Sequence, residues 1–221
     1  MTMTEQASSQ LNADVRLYRV VHDAFRLATT RLVDATERLE PAAFEPIIRS
    51  RWDFYAGVLH HHHHHEDRRI FPALVAVRPD LAPMIETLED DHVQLVRAMD
   101  AVDAAITAFG AEPDAARQRA LHDALVAVRD SFFPHLDVED ADVIPACATS
   151  FSPTEWDRMD QEALKSIPRQ HLAMAVGSLD EVVRGLPKEE RPQLPPPPIR
   201  LMLALSWRRK WAEWSRPLLV S

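Results

Sequence analysis

An eleven-residue pattern occurs twice in this chain. His62-x3-Glu66-Asp67-x2-Ile70-Phe71-Pro72 is echoed by His135-x3-Glu139-Asp140-x2-Val143-Ile144-Pro145. A histidine and a glutamate four residues apart share one face only on a helix, so each copy predicts a helix that aims both side chains the same way. The proline closing each copy predicts the helix end, because proline removes a backbone donor and clashes with the preceding turn. The first copy lies inside a run of six histidines, His60 to His65. A purification tag would sit in a polar terminal linker. This run is internal, between Trp52, Phe54, Tyr55, Val58 and Leu59 on one side and Arg68-Arg69-Ile70-Phe71-Pro72 on the other.

Apolar residues at alternating steps of three and four extend the helical reading through most of the chain. A first helix runs from a cap at Asn12 or Asp14 to about Leu39, with the seam Val15, Tyr18, His22, Phe25, Thr29, Leu32. The second runs from Pro41 to Asp67 or Ile70, with the seam Trp52, Tyr55, Leu59, His62, Glu66, Ile70, and stops at Pro72. A third starts near Asp80, carries Ile85, Leu88, His92, Leu95, Met99, Val102 and Ile106, and stops at Gly110 as its terminating glycine. The fourth opens near Glu112-Pro113, carries Leu121, Leu125, Val128, Phe132, His135 and Glu139, and ends before Pro145. Only four glycines and two tyrosines in 221 residues, against 46% hydrophobic residues, favour helix over sheet and suffice for a full core. The fold class predicted is all-α, an up-down-up-down four-helix bundle with an extra C-terminal helical region.

Every seam carries one histidine, and each lies a similar number of residues from the next turn. At about 1.5 Å of rise per residue, helices running alternately up and down bring His22, His62, His92 and His135 to one level. Four imidazoles with Glu66 and Glu139 in an apolar interior are costly if unpaired, and a pair of metal ions removes that cost. Carboxylates bridge such ions while imidazoles take the outer positions. Nitrogen and oxygen donors without a thiolate suit iron or manganese better than structural zinc.

Together, His22, the two repeated motifs and the pair Asp91-His92 resemble the hemerythrin-like (HHE cation-binding) family, over roughly residues 12 to 147. The resemblance implies a four-helix bundle around a non-heme, oxo- or hydroxo-bridged di-iron centre. It implies metal ligands His22 and His62 on one iron, His92 and His135 on the other, and bridging Glu66 and Glu139. Oxygen-carrying relatives have another histidine one turn after the third-helix ligand, where this chain has Val96. That departure implies an extra open position on one iron, and favours sensing of or redox reaction with oxygen, nitric oxide or peroxide over simple oxygen carriage. Tyr55, His61 and His171 are alternatives for filling it. Asp23, Asp67, Asp91 and Asp140 are either partners orienting the imidazoles or exposed acids. His60, His63 and His64 are expected to point away from the seam into solvent, His61 and His65 to flank it, and His122 to lie on the surface.

The remaining residues divide into a helix or helix pair over 152–185, begun by Ser152-Pro153-Thr154-Glu155, a Pro-rich linker over 186–198, and a tail over 199–219. The tail concentrates Trp207, Trp211 and Trp214 with Arg200, Arg208, Arg209, Lys210 and Arg216. It reads as a helix docked on its own bundle or on a second subunit, or as a helix lying on a membrane surface. A net charge of -9 argues against nucleic acid as a partner. No signal peptide or transmembrane span is read, and a single cysteine, Cys147, fits a reducing cytoplasm. Three functions are compatible with these residues: a di-iron protein that signals or decomposes a small oxidant, oxygen or iron storage without turnover, and a metal-stabilised interaction module acting through its tail. No catalytic nucleophile is identified, so enzyme and sensor are not separated.

Overall fold

The computed structural model describes residues 12–38, 41–192 and 196–219, with residues 41–46 described by their backbone alone. Among them every regular element is helical. Four long helices carry the architecture: α1 (Arg16–Arg38), α2 (Pro41–His65), α4 (Ala82–Ala111) and α5 (Ala115–Val138). Each packs on two of the others, α1 and α4 both touching α2 and α5. The seams close on each other as their spacing predicts. Phe25 and Leu32 from α1, Trp52 and Leu59 from α2, Met99 and Ile106 from α4 and Leu125 and Phe132 from α5 share one core cluster. Burying side chains of this size contributes about 1.5–3 kcal/mol each.

Neither motif proline ends its helix. After α2 the chain widens into a π turn, Glu66–Ile70, and continues as the short α3 (Phe71–Val77) with Pro72 inside it. After α5 the same happens at Glu139–Val143, followed by α6 (Ile144–Ser150) with Pro145 inside. In both, the closing bond spans five residues: Phe71 N–H donates to the Glu66 carbonyl and Ile144 N–H to the Glu139 carbonyl. Proline has no N–H and needs room for its ring beside the preceding turn. A single wide turn before it accommodates both, and such turns concentrate at functional sites.

Other boundaries shift for local reasons. Gly110 is helical and no described glycine has a positive φ, so α4 ends instead where Glu112 turns extended. α5 is capped by Asp114, whose side chain accepts from Arg117 N–H. Asp14 accepts from Arg16 N–H at the start of α1, and residue 39 lies outside the described residues.

Helix α7 (Pro153–Ser166) opens with a capping box between Ser152 and Glu155, as its sequence predicts. It is followed by α8 (Arg169–Gly185). The Pro-rich segment is shorter than expected, because Pro197 and Pro198 open α9 (Pro197–Met202) from the first-turn position where a missing N–H costs nothing. A third π turn leads into α10 (Arg208–Ser215). The tail folds back on its own chain. Trp211 Nε1 donates to Glu181 at 2.7 Å, Arg208 pairs with Asp180 at 2.7 Å, and Arg38 donates to the Leu218 carbonyl at 3.1 Å. Leu201, Met202 and Leu205 stay exposed on its other side. No helix among the described residues is long and apolar enough to cross a membrane.

Gly177 permits this docking, since a Cβ there would lie 2.7 Å from Trp211 Cβ. Gly177→Ala is expected to cost about 1–3 kcal/mol, as overpacking does. The measurement is a thermal melt combined with tryptophan emission, which should shift to the red as the tail loosens while the metal content holds.

Candidate metal centre

Two groups of donors face each other between the four long helices. One contains His63, His92 and His135; the other contains His22, His62, Glu66 and Glu139. The structure thus brings together all six ligands predicted from the sequence and adds a seventh residue. Each glutamate offers one oxygen to each group. Glu66 Oε1 lies 3.0 Å from His62 Nε2 and its Oε2 3.7 Å from His92 Nε2. Glu139 Oε2 lies 3.4 Å from His22 Nε2 and its Oε1 3.4 Å from His135 Nε2. The motif spacing produces this directly, because one helical turn carries each histidine onto the face of its own glutamate.

The imidazoles are held by carboxylates behind them. His22 Nδ1 meets Asp140 Oδ1 at 2.8 Å, and His92 Nδ1 meets Asp67 Oδ1 at 2.8 Å. An Nδ1–H donated to a carboxylate leaves Nε2 unprotonated and turned inward, which is the tautomer a metal needs. Asp67 and Asp140 each follow the motif glutamate by one residue, so the repeat encodes both the ligand and the carboxylate that orients a partner histidine on another helix. Asp91 stands farther off, 3.7 Å from His135 Nδ1, and Asp23 approaches Arg26 at 3.9 Å.

His63 was expected in solvent and is instead buried. Its ring stacks on that of His92, with centroids 4.0 Å apart and planes 16° from parallel. The physical reason is the width of the inward stripe. A helix between two neighbours buries a face of at least about 100°, wide enough for two consecutive residues. His62 faces the glutamates while His63 faces α4.

The other candidates lie elsewhere. Tyr55 is buried with its hydroxyl 2.7 Å from Thr29 Oγ1, His61 pairs with Ser166 Oγ at 2.7 Å, and His171 contacts Gln170 at 3.2 Å. His122 is half-buried, 2.6 Å from Thr36 Oγ1, rather than a free surface residue. His60 and His64 are exposed, as expected. Tyr18 has a role beyond its core position: its hydroxyl donates to Glu66 Oε1 at 2.5 Å.

Burial sets the charge states. It pushes His62 and His63 well below the usual imidazole range, with help from neighbouring histidines, so both are neutral donors. Burial and the charge of Glu139 push Glu66 well above the usual carboxylate range. Burial also acts to raise Glu139, but the nearby His135 imidazole outweighs it and holds Glu139 low. Burial beside the same glutamates pushes the Cys147 thiol up to about 12, so it is protonated.

The donors fit a metal because the protein leaves them unsatisfied. Nε2 of His22, His62 and His63, Oε2 of Glu66 and both oxygens of Glu139 are buried without a hydrogen-bond partner. Even the 3.0 Å approach of His62 to Glu66 is not aligned as a hydrogen bond. Each orphaned buried polar atom costs about 1–3 kcal/mol. Six together rival the total stability of an ordinary domain, about 5–15 kcal/mol. Bound cations remove that penalty.

Comparison with known proteins agrees with this chemistry. No curated protein and no solved structure gives a significant match. The sequence model of the hemerythrin HHE cation-binding domain matches residues 13–147, which include every donor above. The chain therefore belongs to the hemerythrin HHE cation-binding family.

Proposed function

We propose that the chain is a di-iron protein whose centre binds or reacts with a small oxidant: oxygen, nitric oxide or a peroxide. The four long helices are read as running alternately up and down, with residues 12–147 as the metal-binding unit. The observation that carries the proposal is the set of unsatisfied buried donors on both glutamates and three histidines. Histidine and carboxylate donors with a protonated, uninvolved thiol favour iron, with manganese second. When bound, the ions supply Lewis acidity and redox chemistry. The residues of the chain do the rest. His22 and His62 would hold one ion and His63, His92 and His135 the other, with Glu66 and Glu139 placed to offer an oxygen to each group. Asp67 and Asp140 fix the imidazole tautomers, Tyr18 donates to Glu66, and Phe25, Phe71 and Phe132 pack beside the histidine rings.

The donor count is uneven, three histidines on one side and two on the other. With His63 among the donors, a small ligand would approach the His22 and His62 side, where fewer histidines would hold an ion. His63 also supports a second reading, reversible oxygen binding or storage, because the argument against carriage rested on a missing histidine. The single cysteine, Cys147, with no disulfide partner in the chain, is read as fitting a cytoplasmic location.

Metal analysis and an absorption spectrum of protein purified without nickel chromatography test the site. The expected result is about two irons per chain, as in bundle-core two-metal sites, with an oxo-bridge charge-transfer band. Zinc alone after iron-replete expression, or less than one iron, overturns it. Catalytic oxygen release from peroxide then separates turnover from a stoichiometric, reversible spectral change with oxygen.

A further inference from the structure

Beside the metal centre, a largely apolar cavity lies between the bundle and the C-terminal helices. The cavity has a volume of about 190 Å³ and its walls are almost entirely apolar. Val21 and Ala28 of α1 and Val58 of α2 form one side, and Leu164 of α7, Leu179 of α8 and Trp214 of α10 form the other. Somewhat less than half of the wall therefore comes from residues beyond the family match. An apolar protein cavity of about 150 Å³ is large enough to hold benzene, so this one admits a slender hydrocarbon chain.

The charged groups on its lining differ in how they are paired. Arg31 forms a two-pronged pair with Glu181, at 2.8 and 3.0 Å. Burial and the charges of Asp157 and Asp14 push Asp160 up to about 7, so its carboxyl carries no full charge below neutrality. Arg51 is different. No carboxylate pairs with it among the described residues. It donates to Ser50 Oγ and to the Trp214 carbonyl, and its guanidinium sits 4.5 Å over the Trp214 ring. Its Nε–H is buried and has no partner, and burial lowers its pKa. A half-buried guanidinium with an unused N–H, beside an apolar cavity, is matched by a carboxylate, the anion whose geometry fits its fork.

We propose that this cavity binds a free medium-chain aliphatic carboxylate, with Arg51 taking the carboxylate and the hydrocarbon lying between the bundle and the C-terminal helices. The site is independent of the metal reading, although His62 and Tyr18 border the same space.

The test is calorimetric titration of the full-length, metal-loaded protein with octanoate, methyl octanoate and octylammonium at pH 6.5. Octanoate is expected to bind in a saturable manner, about tenfold or more tightly than its ester, the ratio that a charged hydrogen bond supports, and octylammonium is expected not to bind. The ester arm separates a free carboxylate from an esterified lipid chain. Arg51→Gln should bring octanoate down to the affinity of the ester. Ala28→Phe should abolish both by filling the space, with metal content unchanged. Absence of saturable octanoate binding, equal binding of octylammonium or the ester, or octanoate binding untouched by Ala28→Phe would each overturn the proposal. The headgroup series on the unaltered chain keeps the test decisive even where the Arg51 variant disturbs the tail.

Discussion

Glu66→Gln is expected to strip the metal from the protein while leaving the metal-free fold at least as stable as the parent. Glu66 is fully buried, shares its pocket with Glu139, and is pushed toward the protonated form by burial and by that second charge. Replacing a poorly paired buried charge with a neutral side chain of the same shape is commonly neutral or stabilising. Glutamine keeps an oxygen to accept from Tyr18. It loses the negative charge that Glu66 would supply to two bound cations. Substituting residues that merely orient a ligand costs 10–100-fold in metal affinity, so losing a bridge should cost more than about 100-fold. The stability order then inverts with loading. In excess metal the parent gains roughly 4 kcal/mol when free metal stands at about a thousand times its dissociation constant, and the variant gains almost none. Paired thermal melts with iron and with chelator measure this. A variant that still carries two ions refutes the bridging role.

His63→Ala should empty the His92 and His135 side, reducing metal content by about half or weakening that ion by more than about 100-fold on the same ligand-loss argument. His64→Ala, at an exposed neighbour in the same run, should change nothing. The sharper test is rescue. Val96 lies one helical turn after His92 on α4, so a histidine there points toward the same group. In the His63→Ala background, Val96→His is expected to restore the second ion. Metal content by mass spectrometry decides the matter. If His63→Ala keeps full occupancy, His63 is a buried stacking residue and not a ligand.

The seams were legible in the sequence because burial on a helix repeats every three to four residues. Tyr18, His22, Phe25, Thr29 and Leu32 are all buried on α1, and Ile85 through Ile106 behave likewise on α4. The facing donor side chains were legible because histidine and glutamate one turn apart have few other reasons to share an apolar stripe. Two things were not. Proline reads locally as a stop, and only the five-residue turn at Glu66 and again at Glu139 shows how helix can resume past Pro72 and Pro145. His63 was hidden by a single-face reading of α2, which meets α1 on one side and α4 on the other. The cavity beside Arg51 was also out of reach, since it depends on how α7, α8 and α10 lie against α1 and α2.

The two orienting carboxylates differ greatly in how far along the chain they reach. Asp67 holds His92 across 25 residues, whereas Asp140 holds His22 across 118. Loop-closure entropy makes the longer link harder to form by roughly 1.4 kcal/mol. During folding, the α2–α4 side of the site is therefore assembled from one local hairpin, and the α1–α5 side closes only after nearly the whole bundle has been synthesised and collapsed. A nascent chain released early would present His62, His63, Glu66 and His92 as an incomplete chelator. The Asp140–His22 contact would thus close late, and the complete donor set would mark a finished fold.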